Sequence, residues 1–350
     1  MEHRESHLTH RQRSNEASLA WLLVCTVGAA LFAVMIATQG ALAQDIQDPS
    51  NGWFQKCGPV LDNPDTTPVE GTGEYDPIVF PNNPGPVGHR HLFFGATSIS
   101  PDIKSEQPEL FPELFRTTLL EGGTTCRFKN GTDLAFDPPA GGNRSAYWVP
   151  DLKLSNGQWA GGKQLNAYYK KGASSVDAND IVPYPDGLEM LIRDSTSPKA
   201  SVKWYCSNTN GEGNNGNMQA RPYNCNPNGT YPWVTAQITF PQCGNGDADT
   251  TDDLQKYPKG DDHISHVVYP SSGGCPLDHP QVFPRLFVTV KYSASLGAGA
   301  LLAASDPDHA DPATNFHVDY FEAWQEGRLQ FYIERCIKAG INCNSTPPAG

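Results

Sequence analysis

The sequence predicts a mainly β protein: an antiparallel β-sandwich or jelly-roll-like core with long loops and a few short helices. Two observations lead there. The apolar runs are short, rich in β-branched and aromatic residues, and several alternate with period two, as half-buried strands do. Gly and Pro are abundant, with 30 prolines in 350 residues, too many for a core built of long helices.

The elements follow in order. Residues 1–17 are polar, an apolar run extends from Leu19 to Ala37, and Ala41-Leu42-Ala43 supplies the small residues that a signal peptidase prefers. Residues 1–43 are therefore expected to be a signal peptide cut before Gln44. The alternative is an uncleaved anchor, because the run is nearly long enough to span a bilayer. Residues 44–70 read as a flexible segment, 71–343 as a single domain and 344–350 as a tail. A helix is expected over 108–120. Strands are expected at 146–149, 202–205, 234–240 and 286–292, separated by turn-rich loops at 138–145, 207–230 and 244–262. A second helix is expected over 319–338, where Phe321, Trp324, Leu329, Tyr332, Ile333 and Cys336 fall on one face. Glycosylation sequons start at Asn130, Asn143, Asn228 and Asn344.

Eight cysteines lie beyond the signal: Cys57, Cys126, Cys206, Cys225, Cys243, Cys275, Cys336 and Cys343. An even number in an exported chain argues for four disulfides. If bridges close local loops, the pairs are Cys57–Cys126, Cys206–Cys225, Cys243–Cys275 and Cys336–Cys343. The absence of a CxxC pair argues against a zinc ribbon or a thioredoxin-like redox site. The net charge of −13 belongs to the exported part, since residues 1–43 carry three Arg and three Glu. That disfavours nucleic acid and anionic membrane as partners and suits a neutral glycan or a cation. A membrane association is expected only if the signal stays attached. No P-loop, GxGxxG, GxSxG or HExxH motif is present, so no nucleotide cofactor is expected.

Several segments together resemble a family of secreted fungal and bacterial proteins, the domain of unknown function DUF1996. They are Tyr75-Asp76-Pro77-Ile78-Val79 leading to His89-Arg90-His91-Leu92-Phe93-Phe94-Gly95, then Thr124-Thr125-Cys126 and Ser145-Ala146-Tyr147-Trp148-Val149-Pro150. Trp204-Tyr205-Cys206, Phe240-Pro241-Gln242-Cys243, Asp262-His263-Ile264-Ser265-His266 and Gly274-Cys275-Pro276 with His279 follow, and Phe316-His317-Val318-Asp319-Tyr320-Phe321 with Trp324 closes the series. The chain departs from the pattern after Cys243, where Gly244-Asn245-Gly246 precedes an acidic insertion over 247–260. The resemblance implies a secreted, disulfide-linked single domain, often joined in fungi to cell-wall-binding modules. It implies no reaction.

All seven histidines beyond the signal lie in four short segments, which suggests one polar site assembled from distant parts of the chain. On a strand His89 and His91 share a face and are expected to reach one ion, a divalent Zn, Cu or Ca, or one substrate. His317 and Asp319 share a face in the same way. Asp262 is expected to orient His266, and His279 is held between Cys275-Pro276 and Pro280. The expected catalytic set is His89, His91, Asp262, His266, His279, His317 and Asp319, with Arg144, Tyr147, Trp148, Tyr269 and Trp324 lining the substrate. Asp76, Asp102 and Glu322 complete the candidate carboxylates. The expectation is a secreted carbohydrate-active protein, a hydrolase or lyase on extracellular or cell-wall polysaccharide. The alternatives are a non-enzymatic glycan-binding module and a metal-binding surface protein.

Overall fold

A computed structural model describes residues 52–60, 75–83, 90–100, 102–128, 142–153, 159–193, 202–208, 225–226, 228–247, 266–292, 301–302 and 316–343. The expected signal peptide (residues 1–43), His89, Asp262, and the sequons at Asn130 and Asn344 lie outside these residues.

In chain order the strands are β1 (Gly52–Cys57), β2 (His91–Gly95), β3 (Cys126–Phe128), β4 (Ala146–Pro150), β5 (Leu152–Lys153), β6 (Gly162–Lys170), β7 (Glu189–Arg193) and β8 (Lys203–Ser207). They continue with β9 (Trp233–Thr239), β10 (Cys243–Gly244), β11 (Val267–Val268), β12 (Gln281–Val282), β13 (Arg285–Tyr292), β14 (Leu301–Leu302) and β15 (His317–Phe321). A six-stranded sheet runs β3-β1-β6-β13-β9-β8, and a four-stranded sheet runs β2-β4-β15-β7, with every pairing antiparallel. The protein is mainly β, as the alternating runs predict.

Strand parity decides what each sheet buries. In β13, Leu286, Val288, Val290 and Tyr292 join Leu165, Ala167 and Tyr169 of β6 in the main core. From the four-stranded sheet, Leu92, Phe94, Tyr147, Val149, Met190, Ile192, Val318 and Tyr320 enter the same core, so the two sheets form a sandwich. Hydroxyl contacts tie the layers: Tyr147 Oη lies 2.5 Å from Tyr169 Oη, and Tyr292 Oη donates to the Pro150 carbonyl at 3.1 Å.

The opposite face of the four-stranded sheet is also covered. Helix α1 (Phe111–Glu121) turns Phe111, Phe115 and Leu119 toward it, residues four apart and therefore on one helix face. Phe115 meets Phe321 edge-on with ring centroids 4.8 Å apart, and Phe93, Trp148 and Tyr75 complete this second core. Strand β2 ends at Gly95, whose φ of +91° and approach to the Ser145 carbonyl, 2.3 Å from where a Cβ would sit, admit no side chain.

The second predicted helix begins later than expected. Residues 317–321 are strand β15, because their alternation places Val318 and Tyr320 in the core while pairing to both β4 and β7. Helix α2 (Arg328–Tyr332) starts after Gly327 at φ +71° and continues as a π-helical stretch over Ile333–Lys338. The expected apolar face holds only for Leu329, Tyr332, Ile333 and Cys336, all buried.

The four disulfides are Cys57–Cys126, Cys206–Cys225, Cys243–Cys275 and Cys336–Cys343, the pairing expected if bridges close local loops. Asn143, which opens one of the sequons, lies inside the fold. It is fully buried, and its Nδ2 donates to Gln55 Oε1 at 2.7 Å and Tyr147 Oη at 3.1 Å, so the folded protein cannot carry a glycan there. Asn228 is exposed.

Two stability predictions follow from this frame. Cys57–Cys126 spans 69 residues and Cys336–Cys343 spans 7. Loop-closure entropy gives about 4 kcal/mol for the first and about 2 for the second, so paired Cys→Ser variants should rank in that order in urea unfolding. Lys291, on the outward face of β13, is 2 % exposed, and burial beside Lys56 lowers its ammonium from 10.5 to about 8. Below the lowered value both states hold the proton and the folded state bears the desolvation cost. Between the two values the unfolded chain binds the extra proton, so stability rises with pH. Lys291→Met should therefore stabilise the protein by about 1–3 kcal/mol at neutral pH, with the gain shrinking in alkali.

Candidate functional site

The outer face of the four-stranded sheet holds a polar group among apolar neighbours. By parity it presents His91 and Phe93 from β2, Ala146, Trp148 and Pro150 from β4, and His317, Asp319 and Phe321 from β15. His91 pairs with Pro150, and Asp319 pairs with Trp148. Extending the second register by two residues sets His317 on the other side of Pro150. The two imidazoles thus come from strands that are not neighbours and meet above the strand between them.

Their Nε2 atoms are 3.0 Å apart, and Asp319 Oδ2 lies 3.6 Å from His317 Nε2. His91 Nδ1 sits 3.0 Å from the Tyr75 carbonyl oxygen. A carbonyl only accepts, so Nδ1 carries the hydrogen and the neutral ring turns a lone pair at Nε2 toward His317. All three residues are buried, and one ligand atom from each fits within 4.8 Å.

Two ligand atoms 2.0–2.1 Å from one ion lie about 2.9 Å apart at a right angle and about 3.4 Å apart in a tetrahedron. The histidine nitrogens fall in that range; Asp319 Oδ2, 3.6 Å from His317 Nε2 in a trio that spans up to 4.8 Å, must swing inward to share the ion. Two imidazoles and a carboxylate, with His91 oriented by a backbone carbonyl, are a donor set that fits a divalent metal. Among the described residues this is the one such group of three or more His, Cys, Asp or Glu.

Neither His266 nor His279 belongs to it. His266 Nε2 donates to the Glu189 carbonyl at 2.7 Å. Glu189 lies opposite Phe321, four residues along β7 from Arg193, the partner of His317. That displacement is about 13 Å along the strand. Leu188 uses its carbonyl toward Glu322, so His266 caps the outer margin of β7, an edge-strand role. His279 closes a turn by donating its backbone N–H to the Pro276 carbonyl, with Nδ1 3.1 Å from the exposed Asp278 carboxylate. That hydrogen bond holds the Asp278 carboxyl below its usual range.

The residues expected to line the substrate also separate. Tyr147 points into the inter-sheet core, because position 147 has the opposite parity from Trp148. Trp148 stays on the face with Asp319, fully buried and 5.6 Å from the ring of Phe93. Trp324 packs against Trp53, Tyr169 and Tyr332 in the main core. Tyr269 Oη donates to the Thr239 carbonyl at 2.6 Å, and burial pushes its phenol up. Arg144 is buried at the junction of β4 and β15, where its N–H donates to the Ala323 carbonyl; burial and nearby Arg127 lower its guanidinium. Of the other carboxylates, Asp76 accepts the N–H groups of Ile78 and Val79 in a turn, and Asp102 is exposed.

Glu322 belongs to a second feature, a cavity of about 360 Å³ between α1, the 183–187 loop and the start of α2. Arg116 Nε donates to Glu322 Oε2 at 3.0 Å, and the N–H groups of Gly187 and Trp324 donate to the same carboxylate. Burial pushes the Glu322 carboxyl up, while Arg116 and these hydrogen bonds draw it back. Arg116 also reaches Asp186 at 2.8 Å and the Trp324 carbonyl at 3.2 Å. Sequence reading missed Arg116 and the Tyr75 carbonyl. A lone arginine on a helix face carries no motif, and a backbone carbonyl leaves no mark in composition.

The chain is thus a disulfide-tied β-sandwich with a buried histidine–carboxylate cluster on the far face of one sheet. It belongs to the family described as Domain of unknown function (DUF1996), whose family profile matches residues 76–324. No curated protein matches the chain, and no solved structure matches it.

The Arg116–Glu322 pair is enclosed, with side-chain exposures of 18 % and 3 %. Removing one partner leaves the other charge buried. Arg116→Ala should cost about 3–5 kcal/mol, read as a drop in the urea midpoint, and a hydrophobic replacement of both residues should recover part of the loss.

Proposed function

We propose that the protein is an exported carbohydrate-active protein, a hydrolase or lyase on extracellular or cell-wall polysaccharide, with a divalent metal held by His91, His317 and Asp319. The single observation that carries this reading is the convergence of three ligand atoms within 4.8 Å from β2 and β15. The polysaccharide part rests on the acidic balance of the chain, the expected export signal and the four disulfides. An uncharged polymer outside the cell suits a chain of net charge −13 better than a polyanion does. Among the described residues no helix is long and apolar enough to cross a membrane.

A metal bound there supplies Lewis acidity and a water of lowered pKa. The protein's own residues do the rest. The Tyr75 carbonyl fixes the tautomer of His91, and Asp319 brings a negative charge beside His317. Trp148 and Phe93 keep the surroundings dry. The same cluster supports a second reading, a metal-holding protein without turnover.

Elemental analysis of protein purified without a histidine tag, followed by incubation with a panel of neutral and acidic glycans, separates the two. One metal per chain and glycan cleavage are expected. His317→Ala and Asp319→Asn should each weaken metal binding by more than the roughly 10–100-fold typical of outer-shell changes and abolish cleavage. Affinity should fall as the pH is lowered, because ligating imidazoles must be unprotonated. Metal without cleavage would leave the second reading. A chain that takes up no metal at neutral pH would sink both.

A further inference from the structure

The geometry points to Pro150 as a positioning residue of this centre, and to a centre that selects a first-row transition metal over calcium or magnesium. The inference rests on the metal-holding reading above and adds which cation is held and what makes room for it.

Strands β2 and β15 both pair with β4, so His91 and His317 stand two inter-strand spacings apart, about 9.5 Å. Their Nε2 atoms nevertheless come within 3.0 Å, so both side chains lean inward over the residue between them. That residue is Pro150, directly opposite His91. Ala146 and Trp148 lie in the outer cluster while Tyr147 and Val149 lie in the inner one, so the side chain at 150 projects toward the imidazoles. A proline ring folds back on its own backbone nitrogen and rises little above the sheet. A leucine or phenylalanine would fill the space in which the nitrogens converge.

Proline in an interior strand normally forfeits a ladder hydrogen bond. Here the chain is held at the neighbouring positions. Asp151 N–H donates to the Arg90 carbonyl at 2.9 Å, Arg90 Nε reaches Asp151 Oδ2 at 3.1 Å, and the Pro150 carbonyl accepts from Tyr292 Oη. Position 150 therefore stays in register without its own N–H. The backbone next to His91 is fixed at the point where ring placement matters most.

The donor set determines the cation. Two of the three ligand atoms are imidazole nitrogens, which suit zinc, cobalt, nickel, copper and iron. Calcium takes six to eight oxygens, and magnesium keeps an oxygen octahedron, so neither is served by this trio.

The test uses the full exported chain without a tag, stripped with chelator and titrated with Co²⁺ and Zn²⁺. Readouts are stoichiometry, the visible absorption of bound Co²⁺ and urea unfolding. Wild type and Pro150→Ala should bind one Co²⁺ with the same spectrum. Pro150→Leu should unfold at a similar urea concentration yet bind Co²⁺ at least tenfold more weakly and with an altered spectrum. Millimolar Ca²⁺ or Mg²⁺ should displace nothing. Should Pro150→Leu fail to fold, Pro150→Val carries the same comparison with a smaller side chain, and the Ca²⁺ competition needs no variant. Undiminished binding by a folded Pro150→Leu or Pro150→Val protein would overturn the role of Pro150. Displacement by Ca²⁺ would overturn the selectivity. Both failures would leave the metal-holding reading standing, whereas a wild-type chain that binds no Co²⁺ or Zn²⁺ would remove that reading and this inference with it.

Discussion

The four-stranded sheet is buried on both faces, and most of what this protein offers chemically depends on that enclosure. One face meets the six-stranded sheet, and the other meets α1 and the turn that begins at Tyr75. A strand covered on both sides has no solvent-facing parity, so any polar side chain in it must find a partner or be destabilising. Most of its described strand residues are apolar; the buried polar ones are Glu189 at the β7 margin and His91, His317 and Asp319, which lie against one another. A polar trio buried at such cost among apolar neighbours is the best single indication of where function sits.

The same enclosure explains how much could be read in advance. Alternating runs such as 234–240 and 286–292 have one parity in the core, so period two was visible and the sandwich followed. Disulfides were legible because each joins segments that chain proximity or sheet pairing already holds close; Cys57 and Cys126 are direct partners on β1 and β3. The region 319–338 misled because a buried strand followed by a helix presents a long apolar stretch whose period is not uniform. Val318 and Tyr320 obey the strand's period, whereas Leu329, Tyr332, Ile333 and Cys336 obey the helix's.

For the site, the sharing of a face by residues two apart was a sound rule for His317 and Asp319. It could not reveal that the partner of His91 would come from β15, 226 residues later. Cross-strand neighbours depend on strand order, and strand order leaves no local trace. Tyr147 and Trp148 show the reverse error. Adjacent aromatics look interchangeable in sequence, yet one-residue parity sends the first to the inter-sheet core and the second to the outer face beside Asp319. His266 and His279 carried the right side chain for chemistry, but one caps a sheet margin and the other sits in a turn.

Asn143 has a consequence for biosynthesis. Its amide lies in the interior, bonded to Gln55 and Tyr147, yet Asn143-Arg144-Ser145 is an acceptor tripeptide. Oligosaccharide transferases act on nascent chains during translocation, before β1 and β4 have come together. A sugar attached then would hold the asparagine outside and prevent the layers from closing. In any secretory pathway that modifies such tripeptides, speed of closure around Asn143 competes with the transferase, and yield of active material becomes a race between the two.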